Sequence, residues 1–153
     1  MANSFSQVTL HFVFAPRKRE ALIHPDFKER LHAYITGIVE NKKHKMLAIN
    51  SEPDHLHMLI GFATLESMAN LVRDVKSDSA LFVNQNQLSR FKFQWQEGYG
   101  VFSYSRSQRD SVIRYIMGQH ERHKKISFRE EYINLLRDFE VEFDNQFLFD
   151  FFS

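Results

Sequence analysis

Two hydrophobic periodicities alternate along this chain, and few folds admit the order in which they occur. Residues 8–14, VTLHFVF, alternate in polarity, are rich in β-formers and predict a strand. Pro25 and Asp26 open a stretch in which Phe27, Leu31, Tyr34, Ile35 and Ile38 recur at helical spacing. Residues 44–50, HKMLAIN, predict a second strand. The turn residues SEPD separate it from a third at 55–62, which stops near Gly61. Residues 65–83 place Met68, Leu71, Val72, Val75 and Phe82 on one helical face. Residues 91–105, FKFQWQEGYGVFSYS, read as strand material broken by Gly98 and Gly100. Two more helices are predicted, one at 108–124 with Val112, Ile113 and Ile116 as its stripe, the other at about 127–138. The order β-α-β-β-α-β followed by helices predicts an α+β chain: a ferredoxin-like (split βαβ) antiparallel sheet with additional C-terminal helices. No repeat or low-complexity linker interrupts it, and 153 residues suffice for one core, so a single domain over 1–153 is expected. Its aromatic, acidic tail, about 139–153, reads as a short edge strand or a segment that docks on a partner.

The third strand carries the first chemical signal. In PDHLHMLI, residues 53–60, His55 and His57 are two positions apart, so on a strand both imidazoles share a face. Leu56, Met58, Ile60 and Phe62 then point the other way, beneath the two crossover helices. The pair is expected on a central strand and on the open face of the sheet, available to the late helices or to a ligand. Imidazoles so placed can hold a metal ion, or can be two polar residues on a wet face. The second signal is VIRYIMGQ, residues 112–119, in which Tyr115 and Gln119 are four apart and share a helical face. A tyrosine at its ordinary pKa of about 10 is a poor nucleophile. Attack on phosphate becomes feasible when a metal neutralises the developing charge. A glutamine carbonyl is a hard oxygen ligand that suits Mg or Mn beside imidazoles. Tyr34, Tyr99, Tyr104 and Tyr132 have no such neighbour one turn away.

Composition narrows the partners. The chain has no cysteine, which excludes disulfides, thiolate zinc sites and cysteine nucleophiles. The N-terminus MANSFSQVTL lacks the features of a signal peptide, and no apolar run approaches the ~18 residues that span a membrane. A cytoplasmic protein without a membrane partner is therefore expected. The net charge of +1 is unevenly spread. Residues 1–129 hold 19 Lys/Arg against 12 Asp/Glu, whereas residues 130–153 hold 1 against 7. A basic body of this kind suits a polyanion. Arg17, Lys18, Arg19 and Lys76 are the candidate phosphate contacts, which set affinity more than sequence choice.

The pair PDHLHMLI and YIMGQ, in the company of LHFVFAPRKRE, Lys76, WQEGYGVFSYS and SFREEYINLL, resembles the single-tyrosine transposases of the HUH endonuclease superfamily. These are small insertion-sequence enzymes that act on single-stranded DNA. The resemblance runs from about 8 to 148, and the order of its pieces makes it specific. It implies that His55 and His57 are metal ligands, that Gln119 completes the site and that Tyr115 is the nucleophile. It further implies a divalent metal (Mg or Mn), a 5′-phosphotyrosine intermediate and DNA hairpins near element ends as partners. A bacterial or archaeal cytoplasm is the implied setting. A homodimer is expected, in which the tyrosine helix can reach the partner's histidines in trans. Three other readings share these residues: a base-stacking nucleic-acid module on the same sheet, a metal-dependent phosphoesterase with a structural Tyr115, and an inactive or domesticated transposase that only binds DNA ends.

Overall fold

A computed structural model describes residues 3–152. In chain order it contains β1 (Thr9–Phe14), α1 (Pro25–Asn41), β2 (Lys45–Glu52), β3 (His55–Gly61), α2 (Met68–Gln85), β4 (Gly100–Tyr104), α3 (Arg109–Met117), α4 (Gln119–Arg122) and α5 (Phe128–Asp138). Short 3₁₀ turns at Arg106–Gln108 and Asn145–Phe147 complete it. The four strands form one antiparallel sheet in the order β2-β3-β1-β4. This is the ferredoxin-like plan, with β3 and β1 as its central strands.

Local chemistry explains the two long helices. α1 begins with Pro25 in its first turn, and the His24 imidazole caps it by accepting from Asp26 N at 3.1 Å. Phe27, Leu31, Ile35 and Val39 recur every four residues and are buried. α2 is capped by Ser67, which accepts from Asn70 N at 3.0 Å, and buries Leu71, Val72, Val75 and Val83. Both helices cover the sheet face that carries Leu10, Phe12, Phe14, Leu56, Met58 and Ile60, and all of these join one core.

The other face differs from the open surface that strand alternation suggests. All six residues of β1 and the first six of β3 are buried, because α3, α4 and α5 cover that face as well. Val112 and Ile116 of α3 pack on Leu59 and Ala48. Phe139, which caps α5, lies 4.9 Å from Phe102 of β4, ring to ring. His55 and His57 are therefore roofed by the late helices and fully buried.

Three further boundaries depart from the pattern in the sequence. Only residues 100–104 of the 91–105 stretch are strand. The rest is a loop whose polar backbone is held by α2: Asn84 bonds both the N–H and the carbonyl of Phe93, Trp95 Nε1 donates to Ser79 Oγ at 2.9 Å, and Lys76 Nζ donates to the Gln96 and Gly98 carbonyls. The helix expected at 108–124 is divided at Gly118, whose ψ of 13° leaves the helical range. Among the described residues the aromatic tail forms no strand. Phe149 is buried against Phe128 and Tyr132 of its own α5, which removes it from the material offered to a partner, whereas Phe147 is 79% exposed.

Gly100 fixes how closely α5 approaches β4. A Cβ there would stand 2.7 Å from Tyr132 Oη and 2.8 Å from its Cε1. Gly100→Ala must displace the Tyr132 ring, alone or together with α5. We expect it to lower the unfolding free energy by about 1–3 kcal/mol in urea titration, as overpacking does, and Gly37→Ala, where nothing lies within 4 Å, to cost no stability.

Candidate metal and tyrosine site

The site forms where β3, β1 and the three late helices meet. His55 and His57 project from β3 toward the helices, as their spacing requires. His55 donates from Nδ1 to Asp54 Oδ1 at 2.8 Å, and its ring stacks on Phe128 at 4.1 Å. His57 Nδ1 shares a 2.7 Å hydrogen bond with Nε2 of His11, the buried histidine at the centre of β1. These outer partners leave both Nε2 atoms facing inward.

Glu131, from the first half of α5, meets them. Its side chain is 3% exposed, and Oε1 lies 3.1 Å from His57 Nε2 and 3.4 Å from His55 Nε2. The ligand atoms of His55, His57 and Glu131 all lie within 4.8 Å of one another, so the three could hold a metal ion. Gln119 Oε1 is 3.0 Å from His55 Nε2, and Gln119 Nε2 donates to Glu131 Oε2 at 2.9 Å. Tyr115 donates its hydroxyl to the same Oε2. His123, one turn beyond Gln119, places Nε2 at 2.8 Å from Gln119 Oε1 and 3.1 Å from Glu131 Oε1.

α3 is held in place from β2. Asn50 Nδ2 donates to the carbonyls of Ile116 at 2.9 Å and Met117 at 3.3 Å, so the free carbonyl end of the helix is tied to the sheet. This anchor positions Tyr115 5.9 Å from His57, ring to ring, within the same chain. In this chain the tyrosine lies beside its own histidines. The Arg122 guanidinium lies over the Tyr115 ring at 4.3 Å.

The electrostatics follow from burial. Burial alone would raise the Glu131 carboxyl, but His57, His123 and His55 beside it hold it far below the usual carboxylate range. His57 is shifted down by burial, with Glu131 opposing. Tyr115 is pushed well above its ordinary value by burial and by the Glu131 charge. As the chain stands, its phenol keeps its proton.

Of the residues singled out by the sequence, His55, His57, Tyr115 and Gln119 come together around one carboxylate. Arg17, Lys18 and Arg19 lie exposed in the loop after β1. Lys76 does not join them: its ammonium is spent on the Gln96 and Gly98 carbonyls, and burial lowers its pKa to about 8. The sequence assigns Glu131 and His11 no site role, whereas His123, with His120 and Arg122, stands in the turn that adds to the Tyr115–Gln119 constellation. Glu131 had a signal, an acidic residue in line with Phe128, Leu135 and Leu136 on the buried stripe of α5. His11 had one too, a histidine inside an otherwise apolar strand.

The chain belongs to the IS200-like transposase family, whose model matches residues 4–119. It is 22% identical to the ISDra2 transposase TnpA of Deinococcus radiodurans over 121 residues, 76% of this chain and 86% of that protein. The solved structure of a candidate transposase from Deinococcus radiodurans R1 shares the fold, with a TM-score of 0.58, 20% identity, and coverage of 78% of this chain and 95% of that one. So does a REP-associated tyrosine transposase bound to a REP hairpin, with a TM-score of 0.59, 15% identity, and coverage of 82% and 74%. The family match ends at Gln119, so His123 and Glu131 lie beyond it.

Removing the carboxylate should expose how much the site depends on it. Glu131→Ala leaves the Tyr115 hydroxyl and the Gln119 amide without their acceptor. We expect a loss of about 1–3 kcal/mol in urea unfolding with chelator present, the range for a buried donor left unsatisfied. A loss under ~1 kcal/mol, typical of exposed pairs, would mean that the carboxylate does not organise the cluster.

Proposed function

We propose that this transposase cleaves and rejoins single-stranded DNA through a covalent 5′-phosphotyrosine at Tyr115. The observation that carries the reading is the shared carboxylate: one Glu131 oxygen accepts from the Tyr115 hydroxyl, and the other faces the histidine pair. A nucleophile and a cation site are thereby coupled through one group.

The donor set fits a divalent metal. His55 Nδ1 already donates to Asp54, so in the neutral ring Nε2 is a lone pair, yet it faces the oxygens of Gln119 and Glu131. Lone pairs opposed in this way call for a cation between them. His55, His57, Glu131 and Gln119 would hold it, and it would supply positive charge to the scissile phosphate and the attacking oxygen.

The chain's own groups do the rest. The Tyr115 oxygen attacks phosphorus, forming the O–P bond while the bond to the 3′ oxygen breaks. Glu131 Oε2 is placed to accept the phenolic proton, and the 3′ oxygen departs as a hydroxyl after taking up a proton. Attack of a free 3′-hydroxyl on the phosphotyrosine reverses these steps, so rejoining needs no other energy source. The exposed run Arg17, Lys18 and Arg19 suits phosphate contacts on the same DNA. The substrate we propose is single-stranded DNA bearing hairpins at element ends, in keeping with the REP hairpin carried by the structural neighbour. The working unit is residues 1–153 as one domain, paired as a homodimer so that two cleaved ends are held together.

Tyr115→Phe keeps the ring and its packing and removes only the hydroxyl. Incubated with labelled hairpin-ended single-stranded DNA and metal, the wild type should give a denaturant-resistant adduct, and the variant should give none while still binding the DNA. An adduct of undiminished yield in Tyr115→Phe would refute the assignment. Cleavage without any adduct in the wild type would favour a phosphoesterase. Because Tyr115 meets its own histidines, a subunit-exchanged mixture of His57→Ala and Tyr115→Phe should stay inactive; restored cleavage would mean sites shared between subunits.

A further inference from the structure

We propose that His123 is a third imidazole ligand of the metal site, and that the site consequently takes a transition-metal dication such as Mn or Co in preference to Mg. The inference rests on the metal reading above and extends it to a residue beyond the family match.

The geometry repeats one device three times. His55 and His123 turn Nε2 toward both Gln119 Oε1 and Glu131 Oε1, and His57 turns Nε2 toward Glu131 Oε1, at separations from 2.8 to 3.4 Å. Each ring has its Nδ1 engaged on the outside: His55 on Asp54 Oδ1 at 2.8 Å, His57 on His11 Nε2 at 2.7 Å, and His123 on the Ile126 carbonyl at 2.9 Å. A carbonyl can only accept, so His123 carries a proton on Nδ1; Glu131 favours a second proton on Nε2, and a bound metal would take that proton's place. Outer partners of this kind, a carboxylate or a backbone carbonyl on the far nitrogen, are what metal-bound histidines usually have.

The position of His123 is set by the helix. Tyr115, Gln119 and His123 follow one another at four-residue spacing, and the His123 N–H bonds back to the Gln119 carbonyl at 2.9 Å. All three side chains point to Glu131. His123 also lines a cavity of about 280 Å³ with Asp54, Pro53, Phe128 and Phe152. Three imidazole nitrogens with carboxylate and amide oxygens form a borderline donor set. Mg prefers an octahedron of oxygens and keeps its waters, whereas imidazole favours later first-row metals.

The test reads metal binding directly and needs no DNA. Titrated with MnCl₂ and followed by the EPR signal of free ion, the wild type should bind Mn at least about 10-fold more tightly than it binds Mg in competition. His123→Ala should weaken Mn by about 10- to 100-fold, at least the loss that even outer-shell substitutions bring. Pulsed EPR of the Mn-loaded wild type should count three coordinated imidazoles, and His123→Gln should leave two. Two imidazoles in the wild type, or an unchanged Mn affinity in His123→Ala while His57→Ala loses binding, would overturn the role of His123 and leave the His55–His57 reading intact. Equal affinity for Mg and Mn would overturn the stated preference. If His57→Ala also bound Mn normally, the metal reading itself would fall, and with it this inference.

Discussion

The buried charge of Glu131 is the constraint on which the rest of the site depends. An isolated carboxylate in a protein interior is costly enough that it must be paired and hydrogen-bonded or give up its charge. Here it is fully engaged: Oε1 faces three imidazole nitrogens, and Oε2 accepts from a phenol and an amide. These partners come from β3, α3, α4 and the turn after it. The carboxylate therefore acts as a cross-link, through which the three late helices and the central strand meet at one point. The depressed Glu131 pKa and the raised Tyr115 pKa are two aspects of the same arrangement. The negative charge that orients the phenol also holds its proton on.

Sheet topology supplies what the helices cannot. The order β2-β3-β1-β4 makes β1 the neighbour of β3, with Val13 opposite His57 and His11 opposite Leu59. His11 thus lies diagonally across from His57 on the same face, close enough for the 2.7 Å contact. From the other side, Asn50 lies opposite His57 and holds the end of α3. Each side chain in the site is thus supported by a residue on a neighbouring strand or turn, which is the rigidity a reacting geometry needs.

Much of the fold was legible because it rests on local periodicity. The strands at 8–14, 44–50 and 55–62 and the helices at 25, 65 and 127 follow from apolar spacing and caps that operate over a few residues. The loop at 91–99 escaped because its backbone is satisfied by side chains of α2, a tertiary arrangement that leaves no mark on its own pattern. The burial of the histidine face escaped for a similar reason: strand alternation says which side chains share a face and is silent on what covers it. His55, His57, Tyr115 and Gln119 could be singled out because each pair is separated by one structural period. Glu131 is 74 residues from His57, a distance no periodicity bridges. Its only trace was a charge on a buried helical stripe.

The most direct test of this account is the anomalous diffraction of crystals grown with Mn. The account predicts one strong peak inside the cluster, bonded to Nε2 of His55 and His57 and to Oε1 of Glu131, with the Tyr115 hydroxyl of the same chain on the opposite carboxylate oxygen. A peak held by the two histidines while the Glu131 carboxylate is turned away, or a Tyr115 drawn from a neighbouring subunit, would contradict it.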